Sequence, residues 1–375
     1  MSIYLDYAAD TPPDERVLAV YTQAARAQFA NPNAQHSLGR VAKQLVDEAR
    51  SRIAGHLHVT PDELILTSGA SEANNLAVKG IAWAMRRRGR HIISTFLEHS
   101  SVSGALTCLQ EQGWEIDLVD LLPDGRVDLT HLRRLIREDT VLCAVCAVDS
   151  ELGTVQPVDT IAQIVSDHPN CRLHVDMTQA VGKLPLGLTG IHTASLAPHK
   201  FYGLKGSGLL YKAQGVVLEP LIHGGASTTI YRSGTPDAPA AAALSCALEL
   251  ALTEYDARYE RVRALNDRLR AHFAQDARIA VNSPEGAVPH ILNLTVQGIK
   301  GEEMRRLLDE RGVCVSVKSA CSVANTPSRA VMAITHDRKR ALGSWRISLS
   351  HLTTDAQLDT FLRVLDDLLP QSPSR

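Results

Sequence analysis

Short apolar runs alternate with amphipathic stretches through the first two-thirds of the chain. Residues 64–67, 91–94, 116–119, 141–148, 173–175 and 209–211 read as strands, and residues 72–88, 101–112 and 129–137, lying between them, read as helices. Apolar strands separated by helices predict an α/β fold with a mostly parallel sheet covered on both faces. Ligands of such sheets sit beyond the carboxyl ends of the strands, so polar residues just after a strand are the first candidates for chemistry. From residue 239 the pattern changes. An Ala/Leu/Glu/Arg stretch running to about residue 274 has no internal glycine or proline and predicts one long helix. Beyond it, strands at 279–282, 291–295, 313–317 and 345–349, with helices over 302–310 and 354–368, predict a smaller α/β unit. The expected division is a large domain over 14–255 and a small one built from 1–13 and 256–375, with the boundary inside the long helix.

A chain of 375 residues exceeds the size of one core, which agrees with two domains. With 39 basic against 41 acidic residues there is no basic field to hold nucleic acid by counterion release, so direct nucleic-acid binding is not expected. No stretch approaches 18 apolar residues, and the start, M-S-I-Y-L-D, has no charged region followed by an apolar core. A cytoplasmic protein without membrane contact is expected. Seven cysteines in so long a chain are sparse and odd in number, which suits reduced thiols. Cys143 and Cys146 form a C-x-x-C inside an apolar strand, where packing is the expected role and a metal site is not.

Candidate chemistry collects at the strand ends. Asp176 closes the strand in R-L-H-V-D, and Gln179 follows three residues later. Lys200, preceded by His199, comes right after another short strand and before the G-S-G-L-L-Y strand at 206–211. The segment T-S-G-A-S-E at 67–72 joins a strand to a helix. Its backbone N–H groups at Ala70 and Ser71, with the helix dipole, make an anion site. His99 again follows a strand. A lysine for an imine, an acid to protonate a ring nitrogen, a phosphate cradle and a flat side chain are what pyridoxal 5′-phosphate (PLP) requires. Burial would lower the Lys200 pKa and make its amine available as nucleophile and proton carrier. Lys205 is the rival lysine, in a turn that suits an exposed residue. Each piece has a plainer reading: Asp176 as a helix N-cap, the strand-Gly-helix as a simple turn, His99 as a structural residue.

Taken in order, Y-L-D-Y-A-A at 4–9, Asn31-Pro32 with His36 and Gly39, T-S-G-A-S-E-A-N-N at 67–75, Glu98-His99, H-V-D-M-T-Q-A-V-G-K at 174–183, His199-Lys200, R-S-G-T at 232–235 and S-A-C at 319–321 span almost the whole chain. Together they resemble the class V aminotransferases and, within them, the cysteine desulfurases of the NifS/IscS type. The resemblance implies a PLP fold of type I, with a seven-stranded type of sheet, working as a homodimer whose active sites lie at the subunit interface. It makes Lys200 the imine lysine, Asp176 the pyridinium partner, Gln179 the ring-hydroxyl partner and His99 the stacking, catalytic residue. Ala70, Ser71, His199 and Ser150 complete the cofactor contacts, and Thr235 reaches the neighbouring subunit's phosphate. Arg346 and Asn33 would hold the substrate, L-cysteine. Cys321, on the long flexible loop of group I enzymes, would take the sulfur as a persulfide for an acceptor protein, leaving alanine.

The loop assignment also has independent chemistry, because the segment 318–327 is small and polar and Lys318 beside Cys321 favours a thiolate. Arg346 could instead be an ordinary ion-pair residue, although its planar fork suits a carboxylate. The chain departs from the family where D-S-E-L-G at 149–153 replaces N-N-E-x-G, where Ala197 stands in place of a serine, in G-G-A-S-T at 224–228, and in L-D-Y-A-A-D-T-P at 5–12. These changes point toward a dedicated sulfur-modification system such as DNA phosphorothioation, with iron–sulfur cluster assembly and tRNA thiolation as alternatives. Another class V enzyme, an aminotransferase or selenocysteine lyase, would not need Cys321. A non-catalytic scaffold would have no need of Lys200, Asp176 and Cys321 together, and an NAD-binding oxidoreductase lacks its G-x-G-x-x-G after the first strand.

Overall fold

A computed structural model describes residues 2–225, 227–318 and 326–369. The chain begins with β1 (Ile3–Tyr4), α1 (Glu15–Ala27) and α2 (Ser37–Leu57). Strands and helices then alternate: β2 (Leu64–Thr67), α3 (Ala70–Met85), β3 (His91–Ser94), α4 (Ser100–Glu111), β4 (Glu115–Leu118), α5 (Leu129–Leu135) and β5 (Thr140–Cys146). After α6 (Val158–Ser166) come β6 (Arg172–Asp176), β7 (Thr193–Leu196) and β8 (Gly208–Lys212). These strands form one seven-stranded sheet in the order β2-β8-β7-β6-β5-β3-β4. All neighbours are parallel except β8, which runs antiparallel to both β2 and β7.

The central strand explains its own apolar run. All seven residues of β5 are buried, because helices cover both faces of a parallel sheet and leave no side for polar alternation. Ile93, Cys143, Val145, Leu173 and Val175 pack into one core, while Ile92, Leu142 and Ala144 pack with Leu76 and Ile81 of α3 into another. The register aligns Cys146 with Asp176 and Asp176 with Ser195, so the carboxyl ends of β5, β6 and β7 share one edge. The reversed strand brings its amino end to that edge, Leu209 opposite Leu196 and Gly208 opposite Thr67.

The rest of the chain has its own core around Leu292, Leu294, Trp345, Ile347 and Phe361. After α7 (Ala238–Thr253), which packs into the first core, the chain continues with α8 (Tyr255–Phe273), β9 (Ile279–Val281), β10 (Ile291–Val296), α9 (Gly301–Asp309), β11 (Val313–Cys314), α10 (Arg329–Thr335), α11 (Arg338–Gly343), β12 (Ser344–Ser348) and α12 (Asp355–Leu368). Strands β9, β10 and β12 form an antiparallel sheet. The chain's first residues join this part: β1 pairs in parallel with β11, and Asp6 bridges to Ser348. Among the described residues no helix is long and apolar enough to cross a membrane.

Two elements differ from the sequence expectation. The stretch from 239 to 274 is two helices that meet at Glu254, not one. Its two halves serve different cores, Leu244 and Leu248 in one and Leu265 and Leu269 in the other, and a straight helix could not reach both. Arg16 and Arg258 each hold the Glu254 carboxylate at 2.6 Å, which fixes the break without any glycine or proline. The strand expected over 313–317 stops at Cys314, because β1 pairs only with Val313 and Cys314 before Ser316 turns to bridge Arg346.

Candidate active site

At the shared edge of β5, β6 and β7 opens a cavity of about 400 Å³. Asp176, the last residue of β6, forms its back wall. One carboxylate oxygen accepts from the Thr178 N–H at 2.9 Å, closing a turn where the sequence also allowed a helix cap, since no helix follows β6, and the other accepts from Asn74 Nδ2 at 2.8 Å. Because a carboxylate bonded this way only accepts, the amide of Asn74 must present its NH₂ to Asp176. Its second hydrogen goes to Ser101 Oγ at 2.9 Å, and its Oδ1 meets His174 Nε2 at 3.0 Å. That oxygen cannot donate, so the His174 proton sits on Nε2, and Thr193 Oγ1 donates to Nδ1 at 3.0 Å. Burial lowers the His174 pKa to about 4, which keeps the ring neutral in this role.

Ser101 Oγ also lies 2.9 Å from Nδ1 of His99, which caps α4 and accepts the Ser101 N–H at 3.2 Å. The neutral His99 ring therefore carries its proton on Nε2. Burial lowers its pKa, the Lys200 charge pushes the same way, and Asp176 opposes.

Lys200 ends a single 3₁₀ turn, Pro198–Lys200, just beyond β7. Its ammonium donates to the carbonyls of Ala8, at 3.1 Å, and Ala9. Burial lowers its pKa to about 8, Arg346 adds to the effect, and Asp10, Asp6 and Asp176 oppose it. The amino-terminal segment holds this turn in place: Thr11 donates to the His199 carbonyl through both N and Oγ1 at 2.9 Å, and the Tyr202 N–H donates to Thr11 Oγ1 at 2.8 Å. His199 lines the cavity, its pKa lowered to about 4 mainly by burial. Lys205 points away, 74% exposed, in an ion pair with Asp10.

The cradle at the start of α3 depends on two glycines. Gly69 has φ +155°, a backbone that side chains rarely accept, and a Cβ on Gly208 would lie 2.5 Å from the Gly69 Cα. The amino end of β8 thus passes directly against the loop whose N–H groups, at Ala70 and Ser71, face the cavity. Opposite, Arg346 of β12 is buried; its Nη2 donates to Asp6 Oδ1 at 2.8 Å and its Nη1 to the Ser150 carbonyl at 2.7 Å, while its buried Nε has no partner among the described residues. Ser316 Oγ donates to the other oxygen of Asp6 at 2.7 Å. Both interpretations of Arg346 from sequence therefore have a basis in the structure: it makes an ion pair and still holds a donor in reserve.

Gln179 lines the cavity with both ends of its amide engaged. Nε2 donates to the Ala8 carbonyl at 2.8 Å, and Oε1 accepts from Lys183 Nζ at 2.9 Å. Ser150 and Ala197 also line it, so the serine-to-alanine departure removes a hydroxyl from the wall. Cys146 reaches the same wall, but burial raises its thiol well above the ordinary range, which suits packing. Beside it Glu98, whose pKa burial pushes up to about 8, accepts from Thr95 Oγ1 and the Cys146 N–H at 2.8 Å.

Two of the residues singled out from sequence lie elsewhere, and a third is not described. Thr235 lines a separate crevice of about 140 Å³ with Ser68 and Gly208. Asn33 is on an exposed loop, its Nδ2 donating to Ser227 Oγ at 3.1 Å, and the chain does not bring it to its own cavity. Cys321 lies outside the described residues. Lys318, read from sequence as favouring a thiolate at Cys321, is buried with its ammonium 2.9 Å from the Thr326 carbonyl and 2.8 Å from its hydroxyl. Sequence reasoning missed Asp6, Asn74 and the role of Lys183. A polar residue on the sheet-facing side of a helix was the available signal for Asn74.

The cavity has the set of groups that PLP needs: a half-buried amine, an acid held by N–H donors at a strand end, a glycine-built anion cradle and a neutral imidazole. Its fold and site are those of a PLP enzyme of fold type I. The aminotransferase class-V family model matches residues 3–361, and the chain belongs to that PLP-dependent family. It is 34% identical over 372 residues to the cysteine desulfurase IscS of Dictyoglomus turgidum, covering 98% of this chain and 94% of the relative. Among solved structures it is similar to a NifS-like protein, with 32% identity, a TM-score of 0.92 and coverage of 98% and 99% of the two chains. A structure described as SspA in complex with cysteine is 32% identical with a TM-score of 0.82, covering 94% of this chain and 100% of that one.

Proposed function

We propose that the chain is a PLP-dependent cysteine desulfurase that converts L-cysteine to L-alanine and passes the sulfur, as a persulfide on Cys321, to an acceptor protein in the cytoplasm. The observation that carries this reading is the convergence of Lys200, Asp176 and Arg346 on one cavity beside an anion cradle. The similarity to a desulfurase and to a protein solved with cysteine supports it. Bound there, PLP supplies an electron sink for charge developing at the substrate Cα. Asp176 would keep the ring nitrogen protonated, the α3 cradle would hold the phosphate, and His99 would cover the ring. Lys200, whose amine burial brings to about 8, takes and returns the Cα proton. Arg346 offers the substrate carboxylate its unpartnered Nε and a remaining Nη hydrogen, while Nη2 stays on Asp6. The Cys321 thiolate attacks the substrate sulfur; the Cβ–S electron pair stays with carbon, where protonation completes alanine.

Thr235 and Asn33 serve the cavity of a neighbouring subunit in a homodimer. Phe29, Leu38, Val41 and Ile230, large apolar side chains exposed in one chain, support a surface that a partner covers. The family departures at Ser150 and Ala197, both in the cavity wall, favour an acceptor in a dedicated sulfur-modification system such as DNA phosphorothioation over one in iron–sulfur cluster assembly or tRNA thiolation; capture of the persulfide-receiving protein decides between them. The decisive experiment is alanine release with trapped persulfide mapped by mass spectrometry. Cys321→Ser keeps the cofactor and its spectral response to cysteine but makes almost no alanine and carries no persulfide. Near-normal turnover, or a persulfide mainly on Cys314 or Cys108, points to another class V reaction.

A further inference from the structure

Lys183 is a buried cation that the reaction outlined above does not use. Its side chain reaches back from the turn after β6 to Gln179, and no carboxylate bonds to it among the described residues. The charged and titratable groups around it are Lys200, Arg346, His199 and His290; burial first, then Lys200 and Arg346, lower its pKa to about 7. A lysine placed so unfavourably needs a compensating role.

The geometry of Gln179 shows one. An amide can be turned either way in a site, offering a donor or an acceptor, and its neighbours decide which. Ala8 offers a carbonyl oxygen, which only accepts, so the NH₂ end of Gln179 faces Ala8 at 2.8 Å. The oxygen end is then turned toward Lys183, which donates to it at 2.9 Å. Both contacts fix the same orientation, and it holds whether or not Lys183 carries its charge. Of the two amide hydrogens only one goes to Ala8, and the other has no bond among the described residues, on a side chain that lines the cavity. Lys183 also borders a small cavity of about 20 Å³ behind Lys200, with Tyr202, His290 and His351, roomy enough for one water.

We infer that Lys183 is a positioning residue for the cofactor: seated on Gln179 Oε1, it holds that amide with its NH₂ toward the cavity, so that Gln179 donates to the ring oxygen of PLP and does not accept from it. The inference rests on the reading of the cavity as a PLP site. A donated hydrogen bond draws charge from the ring oxygen and so weakens the proton affinity of the lysine-bound nitrogen beside it. Without Lys183 the amide oxygen lacks a partner and only the Ala8 carbonyl favours the donor orientation, so that orientation is less populated and the proton binds more tightly.

The test is a pH titration of the visible absorption band in PLP-loaded wild type, Lys183→Met, Lys183→Gln, Gln179→Ala and the double variant Gln179→Ala/Lys183→Met. Lys183→Met is expected to raise the midpoint by roughly one pH unit, about tenfold in proton affinity. Gln179→Ala raises it similarly, and the double variant no further, because the two residues act through one contact. Lys183→Gln, which keeps a donor without the charge, stays nearer wild type; if Lys183→Met does not fold, Lys183→Ala, which likewise removes the donor, takes its place alone and with Gln179→Ala. An unshifted Lys183→Met overturns the inference. So does an added shift in the double variant, which would mean that the charge acts directly through space. A wild type that shows no such band and no pyridoxyl label on Lys200 overturns instead the PLP reading beneath it.

Discussion

On the sheet side of the cavity, the groups behind Asp176 form a closed set: every hydrogen and acceptor of the Asn74 amide is used, on Asp176, Ser101 and His174, and His174 in turn is held by Thr193. On the opposite side Arg346 is held by Asp6 and the Ser150 carbonyl but keeps a buried Nε without a partner. An unpartnered buried donor costs about 1–3 kcal/mol, which a bound carboxylate would relieve at Arg346. The contrast separates two jobs. The groups behind Asp176 are satisfied beforehand by the fold, as suits a fixed support, whereas Arg346 keeps bonding capacity in reserve, as suits the substrate site proposed for it. The sources differ accordingly: the Asp176 set comes from the sheet and the helices packed on it, while Arg346 is positioned by strands from distant parts of the chain.

The largest expected effect comes from removing the one group that joins the two sides. Lys200→Ala abolishes covalent attachment of PLP and lowers turnover by on the order of 10³-fold. Borohydride reduction and peptide mapping of wild type must place the pyridoxyl group on Lys200; a label on Lys205 would reverse the assignment of the two lysines. Next is the reserve side itself. Arg346→Ala is expected to raise KM for cysteine about thirtyfold, corresponding to about 2 kcal/mol of lost carboxylate binding, with the cofactor spectrum retained. Asp6→Asn, which leaves the guanidinium in place, has the smaller effect. An unchanged KM in Arg346→Ala leaves the arginine as an ion-pair residue only and moves the carboxylate site elsewhere.

What was legible in the sequence follows the same division. Strands 64–67 and 91–94 have the same bounds in the structure, because short β-prone runs end at turns that the sequence marks locally. Asp176, Lys200, His99 and Ser71 could be picked out because each lies at or just after a strand end or at a strand-to-helix turn, and the sheet brings all four to one cavity. Helix α2 was not among the expected elements, although Ala42, Val46, Ala49, Ile53 and Leu57 on its inward face keep the helical spacing that marks one. The break at Glu254 was hidden, since ion pairs to Arg16 and Arg258 make it and no glycine or proline marks it. Asp6 and Asn74 escaped for a different reason. Asp6 meets Arg346 across 340 residues and Asn74 meets Asp176 across 102, so each becomes functional only once the fold has closed.

The smallest effect tests whether the sheet side is as closed as its bonds imply. His174 is fully buried and its pKa falls from 6.5 to about 4, with burial as the first cause. In the unfolded chain it takes up a proton near pH 6.5, while the folded protein keeps it neutral until about pH 4. Between those values the unfolded state binds more protons, so stability contributed by the neutral ring is present above pH 6.5 and is lost as pH falls through the window. At pH 5.5 this amounts to about 1 kcal/mol. Glu98 works against it, since a carboxyl raised to about 8 binds its proton more readily in the folded state and gains stability as pH falls. A whole-protein acid profile therefore mixes opposing groups, and the comparison must be made against a variant at one site. His174→Gln keeps a neutral donor for Asn74 Oδ1 and removes the titration. Denaturant unfolding of the two proteins at pH 7.5 and 5.5 should show wild type losing about 1 kcal/mol more than His174→Gln over that interval. Equal losses would mean that His174 takes up its proton in the folded state, and that the set behind Asp176 can open to charge after all.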